Sequence, residues 1–129
     1  MRRPQPITPE AAGFILRQSG LRPVAPERFA VILLNADDTL AGVELISVGD
    51  EKSVAVWTAH VFRAAFLRDI PKLMLAHTHP GPSYPSSADL KLTKTMRKSG
   101  ADRGIEITDH IVLGTDGVTS IKALTWGWR

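Results

Sequence analysis

The chain has 129 residues, of which 43% are hydrophobic, 16 are basic and 13 are acidic, and it contains no cysteine. This size and composition fit one globular domain that buries most of the surface its unfolded chain would expose, so we expect a single domain over residues 1–129. The absence of cysteine excludes disulfides and thiolate metal sites, so any metal must be held by nitrogen and oxygen ligands.

Charge and hydropathy argue against a membrane-spanning segment and against an extensive basic surface for binding nucleic acid. The basic start, Met1 to Pro4, has no apolar leader segment behind it, and the longest aliphatic run, Ala30 to Leu34, is far too short to span a bilayer. The formal charge is only +3. One predicted helix carries a basic face that we interpret as solvated: Lys91, Lys94, Arg97 and Lys98. We expect a soluble cytoplasmic protein with no membrane partner, while nucleic-acid binding and homo-oligomerisation are left open.

The first part of the chain predicts a helix followed by a hairpin. Thr8-Pro9-Glu10 supplies a cap, a proline at the first helical position and an acid in the first turn, which predicts a helix from Pro9 to Ser19. Residues 21–27 carry two prolines and should form an extended connector. Dense aliphatic and β-branched residues predict strands over 28–35 and 40–48.

The rest of the chain alternates helices with short strands. A short extended piece is predicted at 53–57, a helix from Thr58 to Arg68, and a second long helix from Ser87 to Ser99 with Gly100 as its C-terminal cap. The predicted packing stripes are Val61, Phe62, Ala65 and Phe66 on the first of these helices and Ala88, Leu92 and Met96 on the second. Further strands are predicted at 104–107, 110–113 and 118–121. These elements predict an α/β sandwich around a mixed sheet.

One stretch combines a buried strand with two histidines. The apolar run 73–76 lies between Pro71 and Pro80 and is too short for a stable helix, so it predicts a strand that ends in His77 and His79. Residues i and i+2 of a strand point to the same side, so the two imidazoles can converge on one point. Each histidine alone would more often be a surface residue, or a buried residue whose ring nitrogens have hydrogen-bond partners.

A carboxylate follows at the start of the next helix. Ser86-Ser87-Ala88-Asp89 opens that helix after a proline-rich loop and places Asp89 in the first turn. Alone this is an ordinary capping box, in which Asp89 serves the backbone. Two neutral imidazoles, one carboxylate and an open position for water form the ligand set of a catalytic zinc site. We therefore predict His77, His79 and Asp89 as the ligands of one Zn²⁺ per chain.

Two further acidic positions have open interpretations. Glu44 shares a strand face with apolar residues, where burial would disfavour its charged form and suit it to act as a general base, although exposure on an edge strand explains the pattern equally well. Asp109-His110 precedes a predicted strand; structural anchoring is the first interpretation, and support of the metal ligands is the alternative. His60 is predicted to be a surface residue.

These residues resemble the JAB/MPN domain family with the JAMM metalloprotease motif, which is an upstream glutamate, His-x-His-Pro and Ser-x-x-Asp. In this sequence the motif reads Glu44, His77-Thr78-His79-Pro80 and Ser86-Ser87-Ala88-Asp89. The chain is similar, more narrowly, to the RadC branch over about residues 8–125. The features that carry this closer match are 43–49, 61–65, Pro85-Ser86 and 109–112 with the glycine that follows.

The resemblance implies a cytidine-deaminase-like α/β/α fold, bound zinc, and hydrolysis of amide or isopeptide bonds in a protein or peptide substrate. The sequence departs from the family pattern in three ways. The loop from Gly81 to Pro85 holds five residues where the family usually has six, and Trp57 stands where the RadC branch often shows a histidine. There is also no room for the helix-hairpin-helix segment that often precedes a RadC domain, which removes the main reason to expect DNA binding.

We therefore expect a zinc metallopeptidase or isopeptidase. Glu44 would take a proton from a metal-activated water and deliver it to the leaving nitrogen, and Ser86 would donate a hydrogen bond to the oxyanion, unless it serves only as the helix cap. The alternative is a DNA-associated or partner-binding module of DNA repair or recombination with little or no proteolysis. Two-metal phosphoryl chemistry would need more carboxylates, and a cysteine-ligated deaminase is excluded.

Overall fold

The computed structural model describes residues 5–48 and 54–128, without the side chains of residues 47–48 and 54–57. In this part of the chain, four helices and five strands follow one another along the sequence. They are α1 Pro9–Gln18, β1 Arg28–Leu34, β2 Leu40–Val48, α2 Val54–Leu67, β3 Lys72–Thr78, α3 Ser87–Asp102, β4 Glu106–Gly114, β5 Gly117–Ser120 and α4 Ile121–Leu124. None of the helices described here is long and apolar enough to cross a bilayer.

The described strands form one mixed sheet in the order β2-β1-β3-β4-β5. Strand β1 is antiparallel to both β2 and β3, β4 is parallel to β3, and β5 is antiparallel to β4. Parallel neighbours need a crossover connection, and α3 supplies it between β3 and β4. The carboxyl ends of β3 and β4 therefore lie side by side, next to the start of α3.

Helices cover both faces of this sheet. On one face α1 packs through Ala12 and Leu16 against alternate residues of β1, β3 and β4. On the other face α2 and α3 pack against the remaining alternate residues, with Phe62 and Met96 buried in that cluster. The alternation of burial along the strands follows from the two-residue side-chain period of a β-strand. The prediction of an α/β/α sandwich around a mixed sheet is confirmed.

The start of α2 corrects the predicted extended segment. Residues 54–57 belong to the helix, which begins at Val54 and not at a Thr58 cap, while residue 53 lies outside the described chain. Valine and tryptophan favour strands, but such local propensities are weak guides and give way to tertiary context. Phe66 is also not part of the packing stripe, since 59% of its surface is exposed.

Helix α3 is longer than predicted, and its buried stripe is shifted at its first turn. It runs through Gly100 to Asp102, and Gly100 is a buried helical residue rather than a cap. A side chain there would collide with the carbonyl oxygen of Ile105, so close packing explains the glycine. Ala88 is exposed and Asp89 is buried in its place, which turns the carboxylate toward the sheet.

The two short strands predicted at 104–107 and 110–113 are one strand, β4. The register against β3 shifts between Leu73 and Met74, because Thr108 is an extra residue on the β4 side. Such a bulge interrupts the regular pattern without ending the strand. Ile121, predicted to end the last strand, opens the short helix α4 instead.

Candidate metal centre

The two histidines of β3 lie at the carboxyl end of that strand, as predicted. His77 is buried and pairs in register with Phe29 of β1 on one side and Val112 of β4 on the other. His79 is half-buried just beyond the strand, and its backbone N–H donates to the carbonyl of Leu113 at 2.9 Å. Both neighbouring strands therefore fix the backbone that carries the two imidazoles.

Three side-chain atoms meet at this point. His77 Nε2 lies 2.9 Å from His79 Nε2. Asp89 Oδ2 lies 3.3 Å from His77 Nε2 and 3.2 Å from His79 Nε2. The structure thus brings together the three residues that the sequence predicted as ligands, with one atom of each within contact distance of the other two.

The carboxylate of Asp89 is held by the start of α3. Its Oδ2 accepts the backbone N–H of Ser86 at 2.8 Å, and Ser86 Oγ accepts the N–H of Asp89 at 3.1 Å, which completes a capping box. Burial opposes ionisation of this carboxyl, but the hydrogen bond and charge attraction that His77 offers when its ring is protonated, together with the hydrogen bonds of Ser86, outweigh burial and lower the pKa of Asp89. A carboxylate oxygen can accept more than one bond, so capping does not prevent Asp89 from binding a cation.

Ser86 serves as the cap of α3, and this role does not exclude the predicted one. Its oxygen accepts a hydrogen bond from the Asp89 N–H, while the proton of a serine hydroxyl can still be donated elsewhere. The side chain is exposed beside the cluster. Its predicted donation to an oxyanion stays a prediction.

The orientation of His79 follows from the loop that succeeds it. Its Nδ1 lies 3.3 Å from the carbonyl oxygen of Pro82. A carbonyl can only accept, so in the neutral ring Nδ1 carries the proton and Nε2 presents a lone pair to His77 and Asp89. The loop therefore turns this imidazole into an acceptor at the centre of the cluster.

The pair Asp109-His110 divides into two roles. Asp109 anchors the backbone, since its carboxylate accepts the N–H groups of His110 and Lys122 and the hydroxyl of Ser120. His110 is fully buried and its Nε2 lies 2.7 Å from Nδ1 of His77. Asp109 therefore has the anchoring role, whereas His110 contacts His77, a predicted metal ligand.

Glu44 does not join the cluster. It lies on β2, the outermost strand at that side of the described sheet, in register with Val31 of β1. Its side chain is 41% exposed, and Oε1 lies 4.0 Å from Nη1 of Arg68. Edge-strand exposure thus describes its surroundings better than burial among apolar residues does, and its role as the base stays a prediction.

A carboxylate that the sequence did not single out approaches the histidines instead. Glu27, His77 and His79 each offer one ligand atom, and these atoms lie within 4.8 Å of one another. Glu27 stands immediately before β1 and two residues before Phe29, the register partner of His77, so the pairing of β1 with β3 brings it near the histidines. The cross-strand register would have revealed it, but the sequence alone does not give that register.

The five-residue loop from Gly81 to Pro85 is fastened to the β4–β5 turn. Ser83 N–H donates to Asp116 Oδ1 at 2.8 Å, and Thr115 N–H donates to the carbonyl of Gly81 at 2.9 Å. A Cβ on Gly114 would lie 2.6 Å from Gly81 O, closer than such atoms pack, so a glycine is needed where the loop crosses. The loop, although short, is well fixed; the side chain of Trp57 lies outside the described part of the chain.

Comparison with known proteins places the chain among bacterial relatives. It is 38% identical over 106 residues to a UPF0758 protein of Thermosynechococcus vestitus, covering 81% of this chain and 42% of the relative. It is 35% identical over 122 residues to a UPF0758 protein of Desulforudis audaxviator, covering 93% of this chain and 52% of the relative. The chain thus spans about half the length of the curated relatives it matches.

A family model agrees with these similarities. The model of the RadC-like JAB domain matches residues 8–126. This span contains every described helix and strand and all the candidate site residues named above. The chain belongs to the RadC-like JAB domain family.

Proposed function

We propose that this domain is a zinc-dependent hydrolase of peptide or isopeptide bonds, with one Zn²⁺ per chain held by His77, His79 and Asp89. The observation that carries the proposal is the convergence of Nε2, Nε2 and Oδ2 to separations of 2.9–3.3 Å. The family contributes the chemical class, because its motif resembles that of JAB-domain metallopeptidases.

The spacing of these atoms is close to that of ligands around a small tetrahedral cation, with the two Nε2 atoms, at 2.9 Å, somewhat closer together. Zinc binds imidazole nitrogen and carboxylate oxygen at about 2.0–2.2 Å, so neighbouring ligands of a tetrahedron lie about 3.3–3.5 Å apart. Two neutral imidazoles and one carboxylate also leave a fourth position for water, as catalytic zinc sites do. Glu27 is near enough to compete for that position, which would close the site.

The side chains around the cluster supply the remaining chemistry. Bound zinc would lower the pKa of a coordinated water to about 7 and polarise the scissile carbonyl. Glu44 is the proposed base that accepts the water proton and transfers it to the leaving nitrogen, and it must turn from Arg68 to do so. Ser86 would donate its hydroxyl proton to the oxyanion, a contact that forms mainly in the transition state.

The first experiment measures metal content and cleavage together. Protein purified without added metal should contain about one zinc per chain by elemental analysis. Chelation should abolish cleavage in a screen of peptide and isopeptide substrates, and added zinc should restore it. His79→Ala should lose both metal and cleavage, whereas the matched His60→Ala, which changes an exposed histidine, should lose neither. A full-length wild-type domain that binds no zinc would refute the proposal.

A DNA-associated or partner-binding module is the second candidate. Three lysines on α3, Lys91, Lys94 and Lys98, are exposed, and the chain carries a net charge of +3. Affinity for duplex DNA that falls steeply with salt would favour this candidate, provided that zinc-loaded protein cleaves no amide substrate. Replacement of the three lysines by glutamine should then weaken DNA binding and leave zinc content unchanged.

A further inference from the structure

Three hydrogen bonds behind the metal cluster connect two of its residues. Nδ1 of His77 lies 2.7 Å from Nε2 of His110, and Nδ1 of His110 lies 2.6 Å from Oγ1 of Thr93. Thr93 Oγ1 in turn lies 2.7 Å from the backbone carbonyl oxygen of Asp89. None of these four residues is more than 3% exposed, so the contacts among them lie in the interior of the protein.

The direction of each bond follows from the carbonyl at the end of the chain. A carbonyl only accepts, so Thr93 donates its single hydroxyl proton to Asp89. The Thr93 oxygen must then accept from Nδ1–H of His110. When the His110 ring is neutral, only one of its nitrogens carries a proton, so its Nε2 accepts and Nδ1–H of His77 donates. Nε2 of His77 is left with its lone pair toward His79 and Asp89.

We infer that Thr93 and His110 are positioning residues that hold neutral His77 in its metal-binding tautomer. Metal-ligating histidines are commonly oriented by a partner at the other ring nitrogen. Here that partner is a second histidine, whose own tautomer is set by a threonine on α3. Because α3 also carries Asp89, the helix that provides the carboxylate ligand determines which nitrogen of His77 is free. The inference rests on the proposed metal site for its purpose but not for its geometry.

The tautomer can be observed without metal. Nitrogen NMR of the chelator-treated full chain with labelled histidine, recorded where the imidazoles are neutral, should show His77 and His110 protonated at Nδ1. Thr93→Val should move His77 toward protonation at Nε2, and Thr93→Ser, which keeps the hydroxyl, should restore the wild-type pattern. A wild-type His77 protonated at Nε2 would overturn the inference, whether or not the variants fold.

Zinc affinity supplies the second measurement. Thr93→Val should weaken zinc binding by about 10- to 100-fold, the usual effect of losing such a partner, and Thr93→Ser should recover most of the loss. Thr39→Val is the matched control, because Thr39 is equally a buried threonine, its hydroxyl donates to Asp37 at 2.6 Å, and it lies in the β1–β2 turn. Its zinc affinity should equal that of the wild type.

The two proposals fail in different ways. If the wild type binds zinc and Thr93→Val binds it equally well, the positioning role is refuted while the metal site stands. If the wild type binds no zinc, the proposed function is refuted, and the NMR pattern alone then decides whether the hydrogen-bond chain sets the tautomer.

Discussion

The end of β3 and the outer strand β2 carry the two halves of the predicted site in very different surroundings. At the end of β3, buried side chains are fixed by backbone hydrogen bonds, by the capping box of α3 and by His110. On β2, Glu44 is half-exposed and its nearest charged partner is Arg68, itself 43% exposed at the side chain. The proposed ligands are fixed by these contacts, whereas the proposed base has, among the described residues, only one exposed charged partner.

The residues proposed to bind the metal and the residue proposed to act as the base thus lie in different parts of the sheet. The geometry of three ligands can be built by one strand end and one helix start, whereas the position of a base depends on a strand two places away in the sheet. Glu27, which directly precedes β1, brings another carboxylate near His77 and His79. If metal binding survived the loss of one of the three clustered side chains, the end of β3 would be no more demanding than β2. Which of the two glutamates acts as the base decides how much β2 contributes.

Asp89→Ala should have the largest effect, because it removes one of the three proposed ligands and leaves two imidazoles without a charge partner. We expect zinc content to fall from about one per chain to near zero, measured by elemental analysis after desalting. Ser86→Ala is the control, since it removes the same cap but keeps the carboxylate. It should cost about 1 kcal/mol of unfolding free energy and retain the metal. Full zinc occupancy in Asp89→Ala would contradict the ligand assignment.

Exchange of the two glutamates for glutamine identifies the base. Glu44→Gln should keep the metal and lose about 10²-fold or more of the hydrolysis rate, because an amide cannot accept the proton. Glu27→Gln should retain most of the activity if Glu44 is the base. Glu106→Gln, an exposed change at the start of β4, is the matched control. The reverse ranking would transfer the role to Glu27, and wild-type activity in Glu44→Gln would remove Glu44 from the mechanism.

Gly114→Ala tests how firmly the loop is fixed beside His79. The new methyl group would press on the backbone of Gly81 and Pro82, and overpacking of this kind costs about 1–3 kcal/mol. Chemical denaturation should show that loss. Gly81→Ala is the control, because a Cβ there meets no atom within 4 Å. Equal stability of the two variants would mean that the loop is not held against β4.

The sequence predicted that His77, His79 and Asp89 converge, because the signals for their positions are local. Proline boundaries and the two-residue period indicated β3 and its paired histidines, and the three-residue spacing of a capping box placed Asp89. The same local signals gave α1, β1 and β2 almost to the residue. Burial of Asp89 in place of Ala88 required knowing how α3 lies on the sheet.

The parts that the sequence did not predict depend on contacts between distant segments. The first turn of α2 contains strand-favouring residues, yet it is helical and continues into residues that pack on the sheet. The bulge at Thr108 interrupts the side-chain pattern of β4, so the sequence predicted two strands in place of one. Glu27 approaches His77 through the register of β1, and the register of β4 decides between the two interpretations that the sequence left open for His110. No pattern within either strand encodes those registers.

Arg68→Ala should have the smallest effect and tests whether Glu44 can leave its partner. The pair is 4.0 Å apart and exposed on both sides, so it should stabilise the fold by less than about 1 kcal/mol. Hydrolysis should therefore stay close to the wild-type rate, measured alongside zinc content and denaturation. A large loss of activity with full zinc content and normal stability would instead show that Arg68 positions Glu44, and β2 would then be as closely organised as the end of β3.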